Sequence, residues 1–107
     1  MDDASNLLFE AVTPLGFRVR VDKLRWTTIV TEKHPVMNGR EQDVRAALEK
    51  PNEVRQSKTD KSVLLFYRPE KPGRWVCAVI KHSVSGSFLI TTYPTNAVKE
   101  GIQIWPK

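Results

Sequence analysis

Residues 61–95, KSVLLFYRPEKPGRWVCAVIKHSVSGSFLITTYPT, decide the fold. Three apolar runs follow one another here: residues 63–68, 74–82 and 87–93. Residues 69–73 and 83–86 separate them with proline, glycine and serine, the chemistry of turns. Loops this short predict antiparallel strands in a meander. Each run is apolar through its middle and polar at its C-terminal end: Tyr67 and Arg68, then Lys81 and His82, then Thr91, Thr92 and Tyr93. Neighbours alternate in direction, so these polar ends do not all share an edge. Lys81 and His82 fall across a turn from Ser87, while Arg68 and Tyr93 end strands that can run parallel to each other.

Upstream, Leu7–Val12 fits either a short helix or an edge strand, and residues 1–6 are expected to be loosely held. Residues 1–16 therefore read as an N-terminal arm before a single domain over 17–107. Residues 17–21 alternate, with Phe17, Val19 and Val21 on one face and Arg18 and Arg20 on the other, as in a half-buried strand. Asp22 then caps an expected helix whose buried side carries Trp26, Ile29 and Val30 and which ends before Pro35. Asn38 followed by Glu41 is a capping pattern for a second helix reaching about Lys50, with Val44, Ala47 and Leu48 inward and Pro51 as the stop. Residues 53–57 form a short strand. Past the meander, residues 96–100 suit one helical turn ended by Gly101, and residues 102–105 a last strand. The expected class is α+β: two N-terminal helices packed on a roughly four-stranded antiparallel sheet.

The 107 residues carry a net charge of +5. It is unevenly spread: residues 1–53 are net −1 and residues 54–107 net +6. A basic strand half points to an anionic partner, nucleic acid first, or serves ordinary solubility. The single cysteine, Cys77, sits mid-strand as a small buried hydrophobe. The acidic start has no signal-peptide pattern, and no apolar stretch spans a bilayer, so a soluble cytoplasmic protein is expected.

Several chemistries are disfavoured. There is no paired-cysteine motif, no histidine pair at metal-ligand spacing and no glycine-rich phosphate loop. The strand half holds only Asp60, Glu70 and Glu100 as carboxylates, all in expected turns, which suits a two-metal site poorly. No metal or other cofactor is expected. His34, before a proline, can titrate near neutral pH or simply cap its helix. Arg68, on the face of Leu64 and Phe66, can fork onto a phosphate or reach solvent, and Lys81 on the face of Val79 raises the same choice. His82 can donate to phosphate or lie exposed at a turn. Thr91, Tyr93 and Thr95 set three hydroxyls in five residues, with Thr91 and Tyr93 sharing a face with Leu89 and Thr92 opposite; they can hold a phosphate or pack in a strand. A set of His, Arg, Lys, Thr and Tyr suits metal-free phosphodiester transfer.

The residues Trp26-Thr27-Thr28-Ile29 with Lys33-His34-Pro35, then residues 48–54 (Leu-Glu-Lys-Pro-Asn-Glu-Val), then Phe66-Tyr67-Arg68, Val79-Ile80-Lys81 and the run from Ile90 to Thr95 resemble, in order and spacing, the motifs of phage-associated barnase–EndoU–colicin–RelE-like (BECR-fold) nuclease domains. The resemblance spans about Phe17 to Trp105. It implies a toxin-like, metal-independent endoribonuclease that cleaves RNA by 2′-hydroxyl attack. By motif, the site would be His34, Arg68, Lys81, Thr91, Tyr93 and Thr95, with Arg68, Arg74, Lys81 and His82 contacting RNA. The partners implied are RNA and a cognate antitoxin or immunity protein, with no membrane. Two other readings stay open: a non-catalytic RNA- or ribosome-binding module, and a protein-interaction partner in a toxin–antitoxin pair.

Overall fold

A computed structural model describes residues 6–107, so the expected loose start lies, but for Asn6, outside the described residues. Strands β1 (Leu7–Val12) and β2 (Arg18–Asp22) come first. Helix α1 (Lys23–Thr28) and helix α2 (Glu41–Glu49) follow. Then come β3 (Glu53–Gln56), β4 (Val63–Lys71), β5 (Arg74–Ser83), β6 (Gly86–Thr95) and β7 (Ile102–Trp105). All seven strands join one sheet in the order β1-β2-β6-β5-β4-β3-β7.

The expected architecture of two helices on a roughly four-stranded antiparallel sheet is thus corrected. The sheet is mixed, because β2 runs parallel to β6 through the pair Arg20 and Phe88, while the other neighbours are antiparallel. Leu7–Val12 is the edge strand, not a helix. The short runs β1, β2, β3 and β7 widen the meander on both sides. A parallel neighbour so remote in sequence cannot be read from a local pattern.

The helices are shorter than their periodicity suggested. α1 spans 6 residues and passes into a π-helical turn over Ile29–Lys33, then a 3₁₀ turn over Pro35–Met37. Asp22 takes the expected N-cap position of α1, but neither expected capping bond forms. Asp22 makes no side-chain cap bond and instead accepts from Arg20 Nε at 2.6 Å. Asn38 lies in a turn, and α2 begins after Arg40 without a side-chain cap. Residues 96–100 form no helical turn; Gly101, at φ +77°, leads directly into β7.

The inward positions hold. Trp26, Ile29, Val44, Ala47 and Leu48 are buried, with Val30 partly so, against Val19, Val21, Phe66, Ala78, Ile80 and Leu89 on one sheet face. The opposite face carries a smaller cluster of Leu65, Tyr67 and Cys77, flanked by Trp75, Val79, Tyr93 and Val98. A bulge at Ile90 sets the faces of β6: Leu89 pairs with Ile80, but Thr91 pairs with Val79. Leu89 therefore faces the helices, and Thr91 and Tyr93 face the other side. Their expected shared face with Leu89 is lost, because one extra residue inverts a strand's alternation.

Candidate functional site

The pairing of β2 with β6 is confined to Arg20 and Phe88, near the start of β6. Farther along, the segment after α1 takes over, and the Pro35–Met37 turn packs on β6. His34 stands at this junction, with backbone φ −138° between the π turn and Pro35. Its half-buried ring lies 5.4 Å from the Tyr93 ring, centroid to centroid, tilted by 42°. Thr91 is on the same side of β6 as Tyr93, and its Oγ1 is the one buried side-chain polar atom among the described residues with no hydrogen-bond partner. An orphaned buried hydroxyl costs free energy unless something else satisfies it.

The other expected site residues are engaged elsewhere. Thr95 Oγ1 donates to the Ala97 carbonyl at 3.2 Å, folding the chain back over the end of β6. Arg68 follows Leu64 and Phe66 out of the helix-side core and donates through Nη1 to the Lys50 carbonyl, at the end of α2, at 2.7 Å. The cavity it borders, about 200 Å³, is lined also by Arg40, Asp43 and Glu70, not by His34 or the β6 hydroxyls. Lys81 lies near the far end of β5, opposite Phe88, and donates to Asp60 Oδ2 at 3.1 Å. Ser62 and this ammonium hold the Asp60 carboxyl down at about 2. Arg74 bonds Asn96 Oδ1 at 2.9 Å and pairs with Glu70, which also pairs with Arg40. The structure sets His34 against Tyr93 and puts Thr91 on Tyr93's side of β6, while Arg68, Lys81 and Arg74 are held by other partners.

Tyr67, Cys77 and Tyr93 form one row across β4, β5 and β6. Burial pushes the Cys77 thiol up to about 12, against hydrogen bonds from both tyrosines that oppose the shift. Burial, then the neighbouring sulfur, raises the Tyr93 and Tyr67 phenols above their ordinary range. None of the three ionises near neutrality. Tyr93 is therefore a ring surface and a hydroxyl donor, not a base, and Cys77 is no nucleophile.

His82, near the end of β5, pairs with Ser87 at the opposite end of β6 from Tyr93. Its ring stacks on Phe17 at 4.0 Å with an interplanar angle of 27°, and Nδ1 hydrogen-bonds Ser87 Oγ at 2.6 Å. The stack escaped sequence reasoning because Phe17 and His82 are remote in the chain; the alternation of residues 17–21 placed Phe17 inward but named no partner. Comparison with family models, curated proteins and solved structures finds no match to this chain.

Proposed function

We propose that the chain is a metal-independent endoribonuclease whose reacting centre is His34 beside Thr91 and Tyr93. The observation that carries this reading is the imidazole of His34 set against Tyr93 on the side of β6 where the Thr91 hydroxyl is buried without a partner. His34 would take the proton of a ribose 2′-hydroxyl, and that oxygen would attack the adjacent phosphorus in line. The 5′-oxygen would leave with a proton from solvent water while His34 returns its own to solvent, giving a 2′,3′-cyclic phosphate. Thr91 Oγ1, covered in the free protein, would donate to a phosphate oxygen once the substrate displaces that cover, and the exposed Lys33, next in sequence, would supply charge. Arg68, Lys81 and Thr95 are left out of this centre, since each already holds a protein partner. The sequence resemblance to toxin-like nucleases and the +6 charge of residues 54–107 support the same class. In this reading the protein would act on RNA in the cytoplasm, with an antitoxin or immunity protein as the restraining partner. Among the described residues no helix is long and apolar enough to cross a membrane.

One observation favours a second reading, RNA binding without cleavage. Neither Arg68 nor Lys81, the two cations chosen to hold the phosphate, stands beside His34. One experiment separates the two. An RNA oligonucleotide is incubated with the protein in chelator beside its 2′-deoxy counterpart. Cleavage of the RNA alone is expected, and His34→Ala is expected to slow it by about two to four orders of magnitude with the fold intact by circular dichroism. Cleavage of DNA, or activity lost in chelator, would overturn the mechanism. Intact RNA with salt-sensitive binding would establish the second reading.

A further inference from the structure

The hollow at the β5–β6 hairpin is remote from His34 and holds a different set of groups. Phe17, Arg18, His82, Ser83, Val84 and Ser87 line an open depression of about 550 Å³, a size common for small-molecule sites. Its floor is the Phe17–His82 stack at 4.0 Å. Ser87 is buried, and its hydroxyl fixes the imidazole through the 2.6 Å bond to Nδ1. His82 itself is exposed, and an imidazole stacked on one face has a second face that a third planar group can use. Arg18, at the start of β2, is exposed, and none of the lining residues is a carboxylate. At the rim, the hairpin tip carries Val84, fully exposed. An aromatic platform held in place, an exposed guanidinium beside it and hydroxyls around it are the groups that hold a base and its phosphate. An inorganic anion would use the guanidinium but not the rings.

We propose that this hollow binds a nucleotide, its base on the Phe17–His82 stack and its phosphate on Arg18. The site needs no cleavage at His34 and lies at the other end of β6. It would capture a nucleotide unit of a longer strand or a free mononucleotide by the same contacts.

The test is titration of the full chain with adenosine 5′-monophosphate, adenosine and inorganic phosphate, followed by NMR at the Arg18 Nε–H and the His82 ring. The monophosphate is expected to bind most tightly and to shift both groups. Phe17→Leu keeps an apolar side chain against the core but removes the ring. It should weaken the monophosphate and adenosine alike, about tenfold, as loss of one base stack does. Arg18→Gln should weaken the monophosphate and leave adenosine unchanged. Phosphate binding as tightly as the monophosphate would overturn the proposal, as would affinities that both variants leave intact. Shifts confined to His34 and Tyr93 would also overturn it, while favouring the reacting centre described above. A well-dispersed amide spectrum of each variant verifies that the fold is kept.

Discussion

The two faces of the sheet bury their apolar residues by different means. The helix side is covered by α1, α2 and the turns between them, and gathers Phe66, Ile29, Met37, Leu48 and Ile80 at no measurable exposure. Among the described residues the other side has no helix. Its centre is the Tyr67–Cys77–Tyr93 row, and the cover reaching it is the segment before β7, through Val98. One face is thus a core in the ordinary sense. The second is a thin seal over polar-tipped aromatics, and beside it stand His34 and Thr91. The proposed reacting centre lies on this thinly covered side, where local opening costs least.

If this contrast is right, truncation on the helix side should cost most. Phe66→Ala should lower stability by about 3–5 kcal/mol, read as a shift in the denaturation midpoint. Val98→Ala on the other side should cost about 1 kcal/mol, since it removes two half-buried methyl groups. Equal losses at the two positions would break the comparison. Gly101→Ala falls between them. Gly101 has φ +77°, and a Cβ there would stand 2.5 Å from the Gln56 carbonyl oxygen. The change should cost more than about 1 kcal/mol and loosen the cover, because Arg55 also grips this stretch through the Glu100 and Gly101 carbonyls.

Cys77 sharpens the contrast without any truncation. It is fully buried, and its thiol is raised to about 12. A thiol reagent at pH 8 should leave it unmodified in the native protein. Val98→Ala should speed its labelling well before global unfolding; labelling that tracks the denaturation midpoint alone would show that the seal opens only with the whole fold. The smallest effect belongs to Asp60, at the rim beside Lys81. Its carboxyl is held at about 2, below the ordinary 3.8, first by Ser62 and then by Lys81. A depressed acid stabilises the fold above its unfolded value and loses that contribution as pH falls. Acid unfolding of Asp60→Asn should therefore be less steep between about pH 4 and 2. An Asp60 midpoint near 3.8 by NMR would remove the basis for this.

The legible part of the sequence was local. Residues 63–68, 74–82 and 87–93 announced β4, β5 and β6 because each is apolar and bounded by turn residues, and the spacing of Trp26, Ile29, Val44 and Leu48 found the inward sides of the helical segments. Asp22 was rightly placed at the N-cap of α1 but makes no capping bond, and Asn38 was misread as the cap of α2. Asp22 is claimed by Arg20 two residues earlier, and the chain after Asn38 makes a further turn before α2 starts. The width of the sheet was missed, since β1 and β7 are short and their neighbours are set by tertiary packing. At the site, Thr91 and Tyr93 were rightly paired by alternation, but the bulge at Ile90 hid which face they share. Arg68 and Lys81 looked free because their partners, the Lys50 carbonyl and Asp60, are far away in sequence.

The parallel junction of β2 with β6 sets an order of events on the ribosome. The β1–β2 hairpin is synthesised well before the strand it docks on, which ends at Thr95. Arg20 must wait for Phe88 before the sheet can close. Until then the apolar side of β2, with Val19 and Val21, has no sheet neighbour beyond β1, and the loop to be closed is most of the chain. Chains interrupted before β6 emerges would thus present an unsatisfied strand edge, the feature that invites chaperones and aggregation.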